Sequence, residues 1–127
     1  MENEYTSHVG GHITLFFTVE KDGRLLRNQG SRGVGINVQH GVSVKLSIKD
    51  LNGDINDSSI TVFDYQGNKM ENTDKFYRDL IDDLVYARLL DNNPSFDISV
   101  SLELPTSQGF AMSAAGLIGV AMAFHKF

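Results

Sequence analysis

Between Phe110 and Phe124 the chain runs for fifteen residues, FAMSAAGLIGVAMAF, without a single charge. A membrane-spanning helix needs about 20 apolar residues. This run is shorter and rich in Gly, Ala and Ser, so it reads as a helix buried inside a protein. Leu117, Ile118, Val120, Met122 and Phe124 leave almost its whole surface apolar, while Gly119, Ala121 and Ala123 permit close packing on more than one side. A helix apolar all round expects burial all round. The sequence stops at Phe127, three residues after Phe124, with little left to provide that cover. Two arrangements satisfy it: pairing with another chain, for example as a homodimer, or a longer polypeptide of which residues 1–127 are the N-terminal part.

The length of 127 residues suits one domain. Eleven Lys and Arg against sixteen Asp and Glu give a net charge of −5. That sign disfavours a surface built to neutralise nucleic-acid phosphates or anionic lipid. With no cysteine, a disulfide framework and a thiolate-ligated metal are excluded. The N-terminal Met1-Glu2-Asn3-Glu4-Tyr5 lacks the basic and apolar regions of a signal peptide. The expectation is a soluble, cytoplasmic protein with no nucleic-acid or membrane partner.

Patterning supplies the elements. His12 to Glu20 is β-branched and aromatic and predicts a strand. Lys21-Asp22-Gly23 turns it toward a short strand over Arg24–Arg27. Residues 28–35, NQGSRGVG, form a loop or a strand with close backbone approach. Alternation from Val38 through Ile48 predicts a half-buried strand, Asp50–Asp54 a turn and Ser59–Tyr65 another strand. Phe76, Leu80 and Leu84, with Tyr77, Ile81, Val85 and Leu89, form one apolar stripe on a helix over Thr73–Leu90. Asn72 or Thr73 is its N-cap and Asn92-Asn93-Pro94 its stop. Ser95–Leu104 alternates as a strand, Pro105–Gly109 is a loop, and the last helix opens near Met112 or Ser113. Several strands, a helix, a strand and a helix make an α+β layered domain.

Three places carry candidate chemistry. The segment LELPTSQGFAMSAAG, Leu102–Gly116, runs from a strand through a loop into a helix. The first turn of a helix has unpaired N–H groups and about half a positive charge, which together suit an anion. Gly109 removes bulk there, Ala111, Ala114 and Ala115 keep the place narrow, and Ser113 offers a hydroxyl to a phosphate oxygen or a magnesium ion. The same segment also reads as a plain helix start against a sheet. Arg32, between Ser31 and Gly33, suits capture of a carboxylate or phosphate, or is a solvated loop arginine. His12, after Gly10-Gly11 and near Thr14, is either a substrate or cofactor ligand or a structural residue. No P-loop occurs. Asp50–Asp54 imitates a calcium loop only superficially, because Ile55 stands where such a loop needs Gly. His8, His12, His40 and His125 make no paired-histidine zinc motif.

With these residues in view, the chain resembles the N-terminal part of a GHMP kinase, the superfamily of small-molecule kinases containing galactokinase, homoserine kinase and mevalonate kinase. Its phosphate loop follows the pattern Pro-x-x-x-Gly-hydrophobic-Gly-Ser-Ser-Ala. Here PTSQGFAMSAAG supplies Pro105, Gly109, Phe110, Ser113 and Ala114 in register, with Ala111 where glycine is usual and Met112 where the first serine is common. HVGGHITLFF and GSRGVGINVQHGVSVKL are similar to segments of the archaeal pantoate kinase branch, with Gly10 at the place of a proline. The resemblance spans Val9–Gly116. It implies a two-layer, ribosomal-S5-like α+β N-terminal domain, with a second α+β domain in cis or as a separate subunit. It also implies ATP with its phosphates at Pro105, Gly109, Phe110, Ala111, Met112, Ser113 and Ala114, and magnesium at Ser113. A small hydroxy acid, pantoate becoming 4-phosphopantoate on the route to coenzyme A, would lie at His12, Thr14, Ser31, Arg32 and Gly33. Mevalonate and homoserine are alternative substrates. A non-catalytic assembly protein pairing through the apolar helix is the alternative to an enzyme. No residue stands out as a catalytic base.

Overall fold

A computed structural model of the chain describes residues 4–21, Leu25 and residues 29–127. The turn at Asp22-Gly23 and, apart from Leu25, the short strand expected over Arg24–Arg27 lie outside the described residues. Four strands form one sheet: β1 (Glu4–Glu20), β2 (Gly30–Asp50), β3 (Ser59–Phe63) and β4 (Ser95–Leu102). Two helices, α1 (Asp74–Tyr86) and α2 (Met112–Lys126), complete the layered α+β domain that the element order predicts. The sheet order is β1-β2-β4-β3. β1 and β4 run antiparallel to β2, and β3 runs parallel to β4, with α1 as the crossover between them.

Alternation decides which face is covered. Val42, Val44 and Leu46 of β2 and Phe96, Ile98 and Val100 of β4 are almost fully buried beneath the helices. Burying each such side chain contributes about 1.5–3 kcal/mol. Tyr77 and Ile81 of α1, with Met112, Ala115, Val120, Ala123 and Phe124 of α2, close this core from above. The small residues of α2 set how closely it sits. At Gly116 a side chain would collide with the Tyr77 hydroxyl, and at Gly119 it would come 3.0 Å from Val44.

β3 and β4 each end two residues short of the sequence expectation, at Phe63 and Leu102, and three other boundaries differ more. β1 begins at Glu4 rather than His12, because residues 4–10 pair along β2. Ser7 is buried there, its hydroxyl donating to the Gly119 carbonyl at 2.6 Å. NQGSRGVG resolves as strand from Gly30 onward, extending β2 into a long hairpin arm with β1. Helix α1 stops at Tyr86, not Leu90. The Leu89 amide donates to the Leu84 carbonyl and the Arg88 amide to the Val85 carbonyl, both at 2.9 Å, with Arg88 at φ 57°. Two such bonds around a left-handed residue close a helix by themselves, so Asn92-Asn93-Pro94 lies beyond a helix already ended. Leu89, expected on the apolar stripe, is therefore 75% exposed.

The outer face of α2 is uncovered: Ile118 is 51% and Met122 43% exposed. Along the arm Leu15, Phe16, Phe17, Val19, Val34 and Ile36 are also more than half exposed.

Candidate functional site

The site is built around the first turn of α2. Gly109 (φ 82°) and Ala111 (φ 56°, ψ 33°) both take left-handed backbone, which turns the chain sharply out of the loop and into the helix. Ala111 is the N-cap and has no side-chain oxygen to offer, so no side chain caps the helix. The first turn holds no acidic residue either, while His125 and Lys126 occupy the last turn. The positive end of the helix dipole is thus left unneutralised, beside exposed Ser113 and Ala114. A Cβ at Gly109 would meet nothing within 4 Å, so the loop ahead of the turn is open on that side. Free amides, a hydroxyl and open backbone fit the oxygens of a nucleotide phosphate and an accompanying magnesium ion.

A hollow lies on each flank of this turn. One is lined by Val62, Met70, Asn72, Thr73, Phe76, Tyr77, Leu102, Thr106, Met112 and Ser113. Its wall is mostly apolar, with the Phe76 ring 42% exposed and Asn72 and Thr73 as polar groups. Burial beside this wall pushes the Tyr77 phenol up to about 12. A flat apolar ring with a few hydrogen-bonding edges suits such a place.

The opposite flank holds Val9, Gly10, His12, Asn37, Ala111, Ala114, Ala115 and Ile118 around a second hollow. A third adjoins it along the arm, lined by His12, Thr14, Phe17, Ser31, Gly33, Val34 and Gly35. His12 belongs to both. Its backbone N–H donates to the Phe110 carbonyl at 3.0 Å, tying β1 to the loop before α2. Its Nδ1 lies 2.8 Å from Asn37 Oδ1, and its ring rests where a Cβ on Gly35 would stand.

The residues singled out in the sequence divide accordingly. Gly109, Phe110, Ala111, Met112, Ser113 and Ala114 form the turn itself or its entry, and Pro105 opens the loop after β4. His12, Thr14, Ser31 and Gly33 share the arm hollow. Arg32 stands apart from it: the side chain is 85% exposed, and its Nε lies 3.6 Å from Glu20 Oε1. Asn37, Asn72 and Phe76 are the additions that sequence reasoning did not assign to a site. Asn72 and Phe76 carry signals of a helix start and a core stripe, and Asn37 sits on a strand without a motif. Among the described residues no group of three or more His, Asp or Glu side chains is placed to hold a metal ion.

A different cluster lies at the end of β4. Glu103 accepts from the Gly41 amide at 2.8 Å, with His8 and His40 3.7 and 3.6 Å away. The Gly41 bond foremost, opposed by partial burial and aided by His8, Ser43 and His40, holds its carboxyl below the usual range. Its contacts join β1, β2 and the end of β4.

No protein-family model and no curated protein sequence matches the chain. Solved structures do. A phosphotransferase related to the CoA biosynthesis pathway superposes with a TM-score of 0.68 and 25% identity, over 97% of this chain and 39% of that one. Mevalonate diphosphate decarboxylase from Staphylococcus aureus matches with a TM-score of 0.63 and 15% identity, over 97% of this chain and 35% of that one. The mevalonate kinase of Methanococcus jannaschii gives 0.59 and 14%, over 99% and 41%. The chain therefore spans about two-fifths of the length of these structures. Its fold is that of the N-terminal domain of GHMP-type kinases.

Proposed function

We propose that the chain is the nucleotide-binding part of an ATP-dependent kinase that phosphorylates a hydroxyl of a small hydroxy acid. The observation that carries this is the uncapped first turn of α2, flanked by one mostly apolar hollow and one that holds His12. Transfer of a phosphoryl group requires positioning and charge neutralisation more than covalent chemistry. The α2 amides and Ser113 would hold the phosphates of ATP with magnesium, and the Phe76 hollow would take the base. When bound, ATP and magnesium supply the phosphoryl group and the charge that balances it. The acceptor would lie in the arm hollow, its hydroxyls near His12, Thr14 and Ser31, over the bare backbone of Gly33.

Pantoate is the acceptor we favour, giving 4-phosphopantoate for coenzyme A synthesis. Its support is the Gly30-Ser31-Arg32-Gly33 segment, together with the CoA-related phosphotransferase at 25% identity. Arg32, which stands outside the hollow, would have to leave Glu20 and turn over its rim to meet the pantoate carboxylate. An exposed ion pair is worth about 0–1 kcal/mol, so the exchange costs little. The remaining part of the enzyme would come in cis or as a second subunit and would cover Ile118 and Met122 of α2.

The test is calorimetric titration of magnesium–ATP into the chain together with its completing domain, with and without Ser113→Ala. A panel of pantoate, mevalonate and homoserine would follow, with the phosphorylated product read by phosphorus NMR. Heat that Ser113→Ala reduces, with turnover of pantoate, is the expected result. A second reading, a non-catalytic assembly protein, draws on the Ala111 methyl at the phosphate turn and the uncovered α2 face. Absence of nucleotide heat in the complete assembly would favour it.

A further inference from the structure

Among the described residues, His12 is the one titratable side chain lining either of the two hollows that meet at the start of α2. Around it stand Thr14, Ser31 and Asn37, small residues and apolar side chains, with no carboxylate, lysine or arginine among the described residues that line the hollows. Three contacts fix the residue, two of them at the ring. The backbone N–H is spent on Phe110 O, Gly35 leaves room for the imidazole, and Nδ1 faces Asn37 Oδ1 at 2.8 Å. An amide oxygen only accepts, so Nδ1 must carry the proton for that bond to form. The other nitrogen is then an acceptor with its lone pair free. Which ring nitrogen holds the proton is set by the partner of the other.

We propose that Asn37 fixes the Nδ1–H tautomer of His12, so that Nε2 of His12 takes the proton of the hydroxyl being phosphorylated. The inference rests on the kinase reading given above. In the step, the hydroxyl oxygen bonds to the transferred phosphorus. The bond from that phosphorus to the oxygen of the departing diphosphate breaks, and the leaving oxygen keeps the electron pair. The hydroxyl proton passes to Nε2 and is later lost to water. His12 would touch the substrate as a catalytic residue, and Asn37 would be a positioning residue acting through it.

The tautomer is measurable on this chain without nucleotide or substrate. Long-range proton–nitrogen NMR spectra of the labelled chain, at about pH 8.5 and so above the ordinary histidine range, distinguish Nδ1–H from Nε2–H. His12→Gln identifies the His12 signals among the four histidines. We expect Nδ1–H in the unmodified chain, a swing toward Nε2–H in Asn37→Ala, and retention of Nδ1–H in Asn37→Asp, whose carboxylate also accepts. An Nε2–H ring in the unmodified chain, or no response to Asn37→Ala, overturns the proposal.

The catalytic half is read in the completed enzyme. Asn37→Ala lowers kcat about 10- to 100-fold, as loss of an orienting partner does elsewhere, with the KM for ATP held within about twofold. Asn37→Asp, which keeps an acceptor oxygen facing Nδ1, restores most of kcat. Unchanged kcat in Asn37→Ala despite the altered tautomer overturns the acceptor role. If no hydroxy acid is phosphorylated at all, the kinase reading fails and the acceptor role with it, while the tautomer stands as measured.

Discussion

Ala111→Gly tests the geometry at the mouth of α2. Ala111 holds φ 56° and ψ 33°, a conformation in which the Cβ of an L-residue crowds the following carbonyl at a cost of about 1–2 kcal/mol. Glycine removes that crowding but is freer in the unfolded chain, which returns about 0.4–1 kcal/mol. Glycine is also the better N-cap of the two. The net expectation is a gain of about 0.5–1 kcal/mol. At about 2.1 cal/mol/K per residue, a chain of 127 residues unfolds with an entropy near 0.27 kcal/mol/K, so Tm rises by about 2–4 °C. Gly109→Ala supplies the mirror experiment. It places the same methyl at φ 82° with no atom within 4 Å to collide with, so strain alone should lower Tm by a similar amount. Paired thermal melts followed by circular dichroism measure both. If Ala111→Gly leaves Tm unchanged or lowers it, the left-handed entry into α2 is wrong, and with it the direction in which the helix amides point.

Three further expectations follow from the packing. Gly41→Ala puts a methyl against the Val9 carbonyl oxygen and 2.7 Å from Gly10 Cα. Two paired backbones cannot give way there, so a loss of about 2 kcal/mol or more is expected in urea unfolding. Because the Tyr77 phenol is pushed up to about 12 by burial, the folded state holds its proton where the unfolded state has released it. The contribution is whole below the ordinary tyrosine value of about 10 and declines as pH rises toward 12. Alkaline melts of Tyr77→Phe should lose that part of the decline. Phe76→Ala, at a half-exposed rim position, should weaken nucleotide binding by about tenfold, the worth of one aromatic contact of about 1–1.5 kcal/mol, with Tm nearly unchanged.

Strands β2 and β4 were legible because their alternation is long and uninterrupted, and α2 because a run of fifteen uncharged residues has to be buried. The alternation from Val42 to Ile48 and from Phe96 to Leu102 names the buried face directly. Residues 4–10 were not legible as strand, because EYTSHVG carries little β-branched patterning and owes its conformation to pairing with β2. The end of α1 escaped for a related reason. Arg88 in the left-handed region is an uncommon residue for that place, so nothing local announces it. The loop Pro105–Gly109 was legible from its Pro and Gly, and its likeness to a phosphate loop from the resemblance of PTSQGFAMSAAG to the GHMP pattern. His12 was visible as a candidate, whereas Asn37 became one only when the arm brought it to the ring.

Local sequence alone sets the layered architecture, the uncharged helix that must find cover, and the Gly-bearing loop that leads into it. Those are consequences of local periodicity and backbone freedom, which a single segment carries. Tertiary structure decided what faces that turn: the hollow beside Phe76 on one flank and His12 with Asn37 on the other. His12 and Asn37 lie 25 positions apart, and only the register of β1 on β2 brings their side chains within a hydrogen bond. Register arises from pairing across the whole sheet, so no single segment encodes it.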